Sequence, residues 1–438
     1  MVTQRVSFNN EQRLKKYLQE AVKVPLIKGE IENATERAKH AFKAHAYENI
    51  IVSLVELPTV ETARAKRRII ESALRKVANQ RDHKLSAFKN AVGSEVRDYT
   101  KQPIKRYHVV CLTNVAEDSL QDSCYFTVRD IQLHVWTWSE AKSKLTLDPW
   151  ENEWAKRLTF GQSLSYGESS AKKLLQQFTP LVTEVRSRTE ARAVDKVEKA
   201  YDILRALFNM EFTFNRYHFE GWQRERLGKI IPSPSYAVFD EKYEYIDSDY
   251  DSLPALNFFR EGLPDKLVNN VKTKLDRLNR PQKDQDTRNL LLQAVRLYGS
   301  ALDTTKWSEA FLALWQVLEI ITKPDNKYIT MKSVRERATA LIEESVDGAE
   351  LELLNGLLEL SYDKRNTLVH TGTFPEEGLR AVCMLKIVVE QCILALDNLR
   401  QDISTSDELL HYYKYARKQS SDLDDIKRTI AIVEKRRS

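Results

Sequence analysis

Five stretches between residues 290 and 399 repeat one pattern, apolar side chains three and four positions apart with polar residues between them. "LLLQAVRLYGSAL" sets Leu291, Ala294, Val295, Tyr298 and Leu302 on one stripe. "KWSEAFLALWQVLEIIT" does the same with Trp307, Ala310, Phe311, Leu314, Leu318 and Ile321. Residues 331–344 use Val334, Ala338 and Leu341, "AELELLNGLLELSYDKRN" uses Leu353, Leu354, Leu357, Leu358 and Tyr362, and 376–399 use Val382, Leu385, Val389, Cys392, Leu396 and Leu399. Such stripes must be covered by partner helices, so 280–400 is predicted to be one antiparallel bundle. Only 12 Gly and 12 Pro occur in 438 residues, too few turn formers for a sandwich of short strands.

Residues 10–100 read as mostly helical. "ARAKRRIIESALRKVANQ" places Ala63, Ile70, Ala73, Leu74 and Val77 on one face, with its cations opposite. The β-branched and aromatic runs 107–115 and 124–138 predict strands within a small β part at 105–140. Helix returns at about 184–210, and 211–262 is aromatic and turn-rich, an irregular or β-containing insert. A polar segment with Pro281, at 277–289, marks a boundary. The expected organisation is therefore an α+β region at 1–275 (its last part, 150–275, helical and irregular), the bundle at 280–400, and a basic helical tail at 401–438. The fold class is mainly α with a smaller β-containing part.

No Gly-rich phosphate loop of either common spacing is found, which argues against a nucleotide-driven motor. The four cysteines, Cys111, Cys124, Cys383 and Cys392, lack C-x-x-C spacing, so no zinc site or disulfide framework is implied; Cys383 and Cys392 read as core thiols in a reducing cytosol. Lys386 and Glu390 interrupt the most apolar late segment, which therefore reads as a buried helix, not a membrane span. Net charge is +5, but residues 61–106 hold thirteen Lys/Arg against five Asp/Glu. This stretch is either a solvated helix face or a track for a polyanion such as RNA, with Arg67, Arg68, Arg75, Lys76 and Arg81 as the candidate contacts.

The stretch "ELSYDKRNTLVHTGTFPEEGL" gathers Arg365, Asn366 and His370 at the end of the fourth bundle helix. Thr373 and Glu376, with Pro375, read as a capping box opening the fifth helix, which puts His370 in or near a short turn. A turn there can fold both long side chains onto one polar patch. The alternative is a capped, solvated helix end with Arg365 on the last carbonyls. Arg129 and His134 have the same spacing but lie in the alternating run 124–138, where residues five apart point to opposite faces.

A helical bundle with "RNTLVH" between its last two helices resembles the HEPN domains, nearest to the ApeA-like group of bacterial anti-phage proteins. "SEAFLALWQVLEIIT", and "YDILRALFNMEFTF" followed by a Pro-containing stretch ending in "AVF", are similar to that group too. The resemblance covers roughly 285–400 well and 195–284 less closely; 1–190 shows none. It implies a cytoplasmic, metal-independent endoribonuclease without a cofactor, acting as a homodimer in abortive infection or as a toxin, with Arg365, Asn366 and His370 catalytic. The N-terminal region would then sense a phage-derived trigger or regulatory partner, and the RNA would be a tRNA, rRNA or mRNA. A non-catalytic HEPN scaffold for nucleic-acid binding or dimerisation is the alternative, and a third is an interaction protein docking through its basic tail.

The chemistry suits these residue types. Cutting RNA through its own 2′-hydroxyl needs a base, an acid and positive charge on the phosphorane. Imidazole serves as acid or base near neutral pH, and Arg365 offers a permanently charged fork. Asn366 can bond the phosphate or hold His370 in one tautomer. One copy supplies a single titrating group; two copies about a two-fold axis supply both. Glu319, at the edge of the second helix's stripe, is a supporting candidate to orient Arg365 or His370, or else forms a salt bridge elsewhere. Lys364 is a candidate phosphate contact.

Overall fold

A computed structural model describes residues 6–28, 34–60, 63–80, 84–120, 125–161, 168–213, 227–250, 261–280, 285–325, 327, 329–374, 378–416, 422–424, 427, 428 and 431. Five helices come first: α1 (Glu11–Ala21), α2 (Pro25–Lys28), α3 (Ala34–Leu54), α4 (Ala63–Ala78) and α5 (Leu85–Lys101). Strands β1 (Ser7–Phe8) and β2 (Val55–Glu56) pair beside them. Ile70, Ala73, Leu74 and Val77 of α4 are buried as their spacing predicts, and with Leu14, Leu18, Phe88 and Val92 they form a core of their own.

The sheet that follows is six-stranded and antiparallel throughout. Its strands are β3 (Lys105–Thr113), β4 (Tyr125–Val128), β5 (Ile131–Val135), β6 (Thr179–Ser187), β7 (Ser235–Phe239) and β8 (Tyr245–Tyr250), in the order β4-β5-β6-β3-β7-β8. Central β3 is buried on both faces from Tyr107 to Thr113, which explains the apolar run Val109–Leu112. Val109 and Cys111 face one core, Val110 and Leu112 another. On the second face lie α6 (Trp138–Lys144), α7 (Asp148–Gly161) and α8 (Glu168–Leu175), with Trp150 and Trp154 fully buried.

Three sequence expectations are corrected here. The run 124–138 is not one strand but the hairpin β4–β5, turned at Arg129, whose φ is +58°, and followed by α6. Arg129 and His134 are therefore separated by a hairpin turn rather than by strand alternation. The helix expected from about 184 begins only at α9 (Glu190–Thr213), because "TPLVTEVRS" is β6, which joins β3 to β5. Finally, the β part extends well beyond 140, since half of its strands come from 179–250.

Helix α9 covers the first sheet face and carries the chain into α10 (Asp265–Asn279) and the predicted helices: α11 (Asp286–Asp303), α12 (Trp307–Thr322), α13 (Met331–Ile342), α14 (Gly348–Thr371) and α15 (Gly378–Leu399). α11 packs on α9 and α12, and α15 packs on α11, α12, α13 and α14. One apolar core runs from Val109 in the sheet through Leu204 of α9 to Leu318 and Leu396 in these helices. Helix α16 (Ser406–Tyr415) joins it through Leu409 and Tyr413, so this part of the tail is built into the fold. Cys111, Cys383 and Cys392 are buried thiols. Among the described residues no helix is long and apolar enough to cross a membrane. Cys124 and the Pro375–Glu376 start signal lie outside the described residues.

Candidate active site

The end of α14 is set by Gly372. Its φ of +70° is left-handed, and its N–H donates to the Leu368 carbonyl at 2.9 Å, closing the helix after Thr371. His370 therefore occupies the last helical turn, near the expected turn but not in it. β-branched Thr367, Val369 and Thr371 disfavour helix locally, but the hydroxyls of Thr367 and Thr371 bond carbonyls four residues back, at 3.1 and 2.7 Å.

A continuous helix fixes the relative directions of the motif side chains. Residues five apart are rotated by about 140°. Arg365 shares the α14 side of buried Leu354, Leu358, Ser361 and Leu368, whereas His370 is exposed. Asn366, half-buried, lies one turn before His370 and close to its face. The site thus brings together Asn366 and His370, and sets Arg365 apart.

Arg365 is oriented by α12. Its guanidinium lies 4.0 Å from Glu319 Oε1, and its buried Nε has no hydrogen-bond acceptor. Glu319 is shared further: Trp315 Nε1 donates to Oε1 at 3.1 Å, and Lys323 lies 3.2 Å from Oε2. Glu319 thus lies at the limit of ion pairing with Arg365 and nearer to Lys323, so the expected neighbour and the alternative salt bridge are both found; two cations converge on one carboxylate, leaving net positive charge there. Trp315 and Lys323 were not singled out from the sequence, although their spacing of four on either side of Glu319 places them on its face. Tyr362 packs against the Trp315 ring, centroids 6.3 Å apart, in keeping with a core role. Lys364 is half-buried on α14.

The outer face of α14 is less complete. Leu353, Gly356, Leu360, Asp363, Thr367 and His370 recur at alternating steps of three and four and are all exposed, Leu353 by 53% and Leu360 by 42%. His370 stands at the end of this seam.

The α4 cations are exposed but partly engaged. Arg67 bonds Asn49 and lies 3.9 Å from Glu71, Arg68 lies 3.8 Å from Asp247, and Lys76 lies 2.5 Å from Glu95. Arg75 is exposed; Arg81 lies outside the described residues. None of the interactions described for these residues reaches α14.

No protein-family model, curated protein or solved structure matches this chain.

Proposed function

We propose that this chain is a metal-independent endoribonuclease of the HEPN type, working in the cytoplasm as an anti-phage effector or toxin through two copies of Arg365, Asn366 and His370. The observation that carries this reading is the position of His370, exposed at the end of a seam with uncovered Leu353 and Leu360. A second copy laid on that seam would bury the leucines and bring two imidazoles together. One His370 then takes the proton from a ribose 2′-oxygen as that oxygen bonds to phosphorus; the other gives a proton to the departing 5′-oxygen as its bond to phosphorus breaks. The products are a 2′,3′-cyclic phosphate and a 5′-hydroxyl. Arg365, 4.0 Å from Glu319 and about 140° round α14 from the His370 of its own copy, gives the phosphorane positive charge only by swinging away from Glu319 toward the seam.

The test is cleavage of total tRNA, rRNA and mRNA in excess chelator, with growth measured on expression. His370→Ala is expected to lower cleavage by roughly 10²–10⁴-fold, the range for losing a general acid or base. Arg365→Lys, which keeps the charge but loses the planar fork, is expected to fall between His370→Ala and wild type. Wild-type protein without cleavage, and with a growth effect that His370→Ala retains, would favour the scaffold. One observation supports that second reading: within a single copy Arg365 and His370 point about 140° apart.

A further inference from the structure

At one end of the sheet, β3, β6 and the start of α9 line an open cavity of about 960 Å³. It adjoins a second, of about 480 Å³, that reaches α4 and α5; Lys105, Tyr107 and Glu190 border both. These are the dimensions of small-ligand sites.

The larger cavity presents Lys105, Arg106, Arg186, Arg192 and Lys196. Strand register sets Arg106 directly opposite Arg186. Like charges facing each other across antiparallel strands oppose pairing, so the fold retains this arrangement at a cost. Arg106 is relieved by Glu184, 3.2 Å away, but among the described residues Arg186 and Lys105 have no carboxylate partner. Among the described residues, two neighbouring cations donate to uncharged carbonyls alone. Lys196 bonds the Arg186 carbonyl at 3.2 Å, and Arg188, in the smaller cavity, bonds those of Thr100 and Gln102 at 3.2 and 2.9 Å. Their positive charge is therefore not cancelled.

Acids border the cleft too and keep their charge: among the described residues Asp240 accepts only the backbone N–H groups of Lys242 and Glu244, at 2.8 and 2.9 Å, Glu190 accepts the Tyr107 hydroxyl at 3.3 Å, and Glu241 is exposed to solvent. Glu95, paired with Lys76, and Asp98 lie in the smaller cavity; in the larger one, five cations face three acids, so positive charge is in excess. Helix α9 begins at Glu190, so its positive dipole end adds to the field. Ile104 and Ile246, 61% and 40% exposed, supply apolar surface beside the cations. A ligand matching this surface carries several negative charges and an apolar part to lie against the two isoleucines.

We infer that this cleft binds a nucleoside phosphate, either a free nucleotide or a short segment of single-stranded RNA. The inference stands apart from the reading of His370. Titration calorimetry on the full chain at low salt would use three probes: inorganic triphosphate, ATP, and a 2′-O-methyl oligonucleotide of about ten residues, which cannot be cut. ATP is expected to bind more tightly than triphosphate, and affinity to fall as salt is raised. Arg186→Thr should weaken ATP binding at least tenfold while raising the thermal midpoint of the free protein, because the repulsion with Arg106 is gone. Lys105→Gln should weaken binding without changing the midpoint. An oligonucleotide tighter than ATP identifies RNA as the source; the reverse order identifies the nucleotide. The inference is overturned if no probe binds, if triphosphate matches ATP, if both variants bind like wild type, or if Arg186→Thr loses binding together with thermal stability.

Discussion

At the scale of single residues, His108 shows how burial becomes pH dependence. Its ring stacks on Tyr243, centroids 4.3 Å apart, and burial holds its imidazolium below the ordinary histidine range. Arg106 works in the same direction, while Glu184 and Asp240 oppose it. As pH falls through about 6.5 the unfolded chain takes up a proton that the folded chain still refuses, so stability declines from there until the folded group also titrates. Urea midpoints at pH 7.5 and 5.5 are expected to differ less in His108→Phe than in wild type; equal differences would show that His108 is not a source of the slope. The sequence allowed residue types and near neighbours to be read, which is why Arg365, Asn366 and His370 could be grouped, while Glu319, on another helix, could be offered only as a partner for Arg365 or His370 or for a salt bridge elsewhere. It concealed the facing of Arg106 and Arg186, eighty positions apart, because that contact exists only through β3–β6 register.

Elements were legible where one period ran long enough. The five bundle helices begin and end close to their apolar stripes, since burial of one face decides them. β6 was missed because its second half, "TEVRS", is rich in residues that also suit the first turn of a helix, and α9 follows within three residues. The extension of α14 through His370 was missed for the opposite reason: its last turn is poor in helix formers, and Gly372 closes it. Two glycines of this helix should respond with opposite signs. Gly356 is exposed in the helix interior with nothing within 4 Å of an added Cβ, so Gly356→Ala should stabilise by about 0.5–1 kcal/mol. Gly372 also has open space, but its φ of +70° makes Gly372→Ala destabilising by about 1 kcal/mol. Denaturant unfolding of both variants checks the pair, and a shared sign would refute the capping role. On the proposed ribonuclease reading, Gly372→Ala should also lower RNA cleavage more than its stability loss explains, because the frayed turn carries His370.

For the whole molecule, the division of the core matters more than the division of the sequence. The polar segment near 280 separates α10 from α11, yet a single apolar core continues across it, from sheet to bundle. Helices α1–α5 bury a core of their own. Unfolding is therefore expected in two transitions. Leu318→Ala, fully buried in the larger core, should lower the one reported by both sheet and bundle, by about 2–5 kcal/mol, and leave the other in place. Calorimetry with fluorescence from buried Trp150 and Trp315 measures this; a single transition shifted as a whole would contradict it.

Helix α9 joins the two regions that matter most. It starts at Glu190 beside the basic cleft and ends at Thr213, whose carbonyl accepts from Lys386 of α15 at 2.7 Å; Lys386 in turn holds Glu390 at 2.6 Å, and Tyr298 donates to Glu390 at 2.5 Å. All 24 residues are helical, a rod of about 36 Å. A strut held at its far end by Lys386 ties the first turn beside the cleft to α15, the helix on which α14 packs, so a load on that turn would be carried into the bundle.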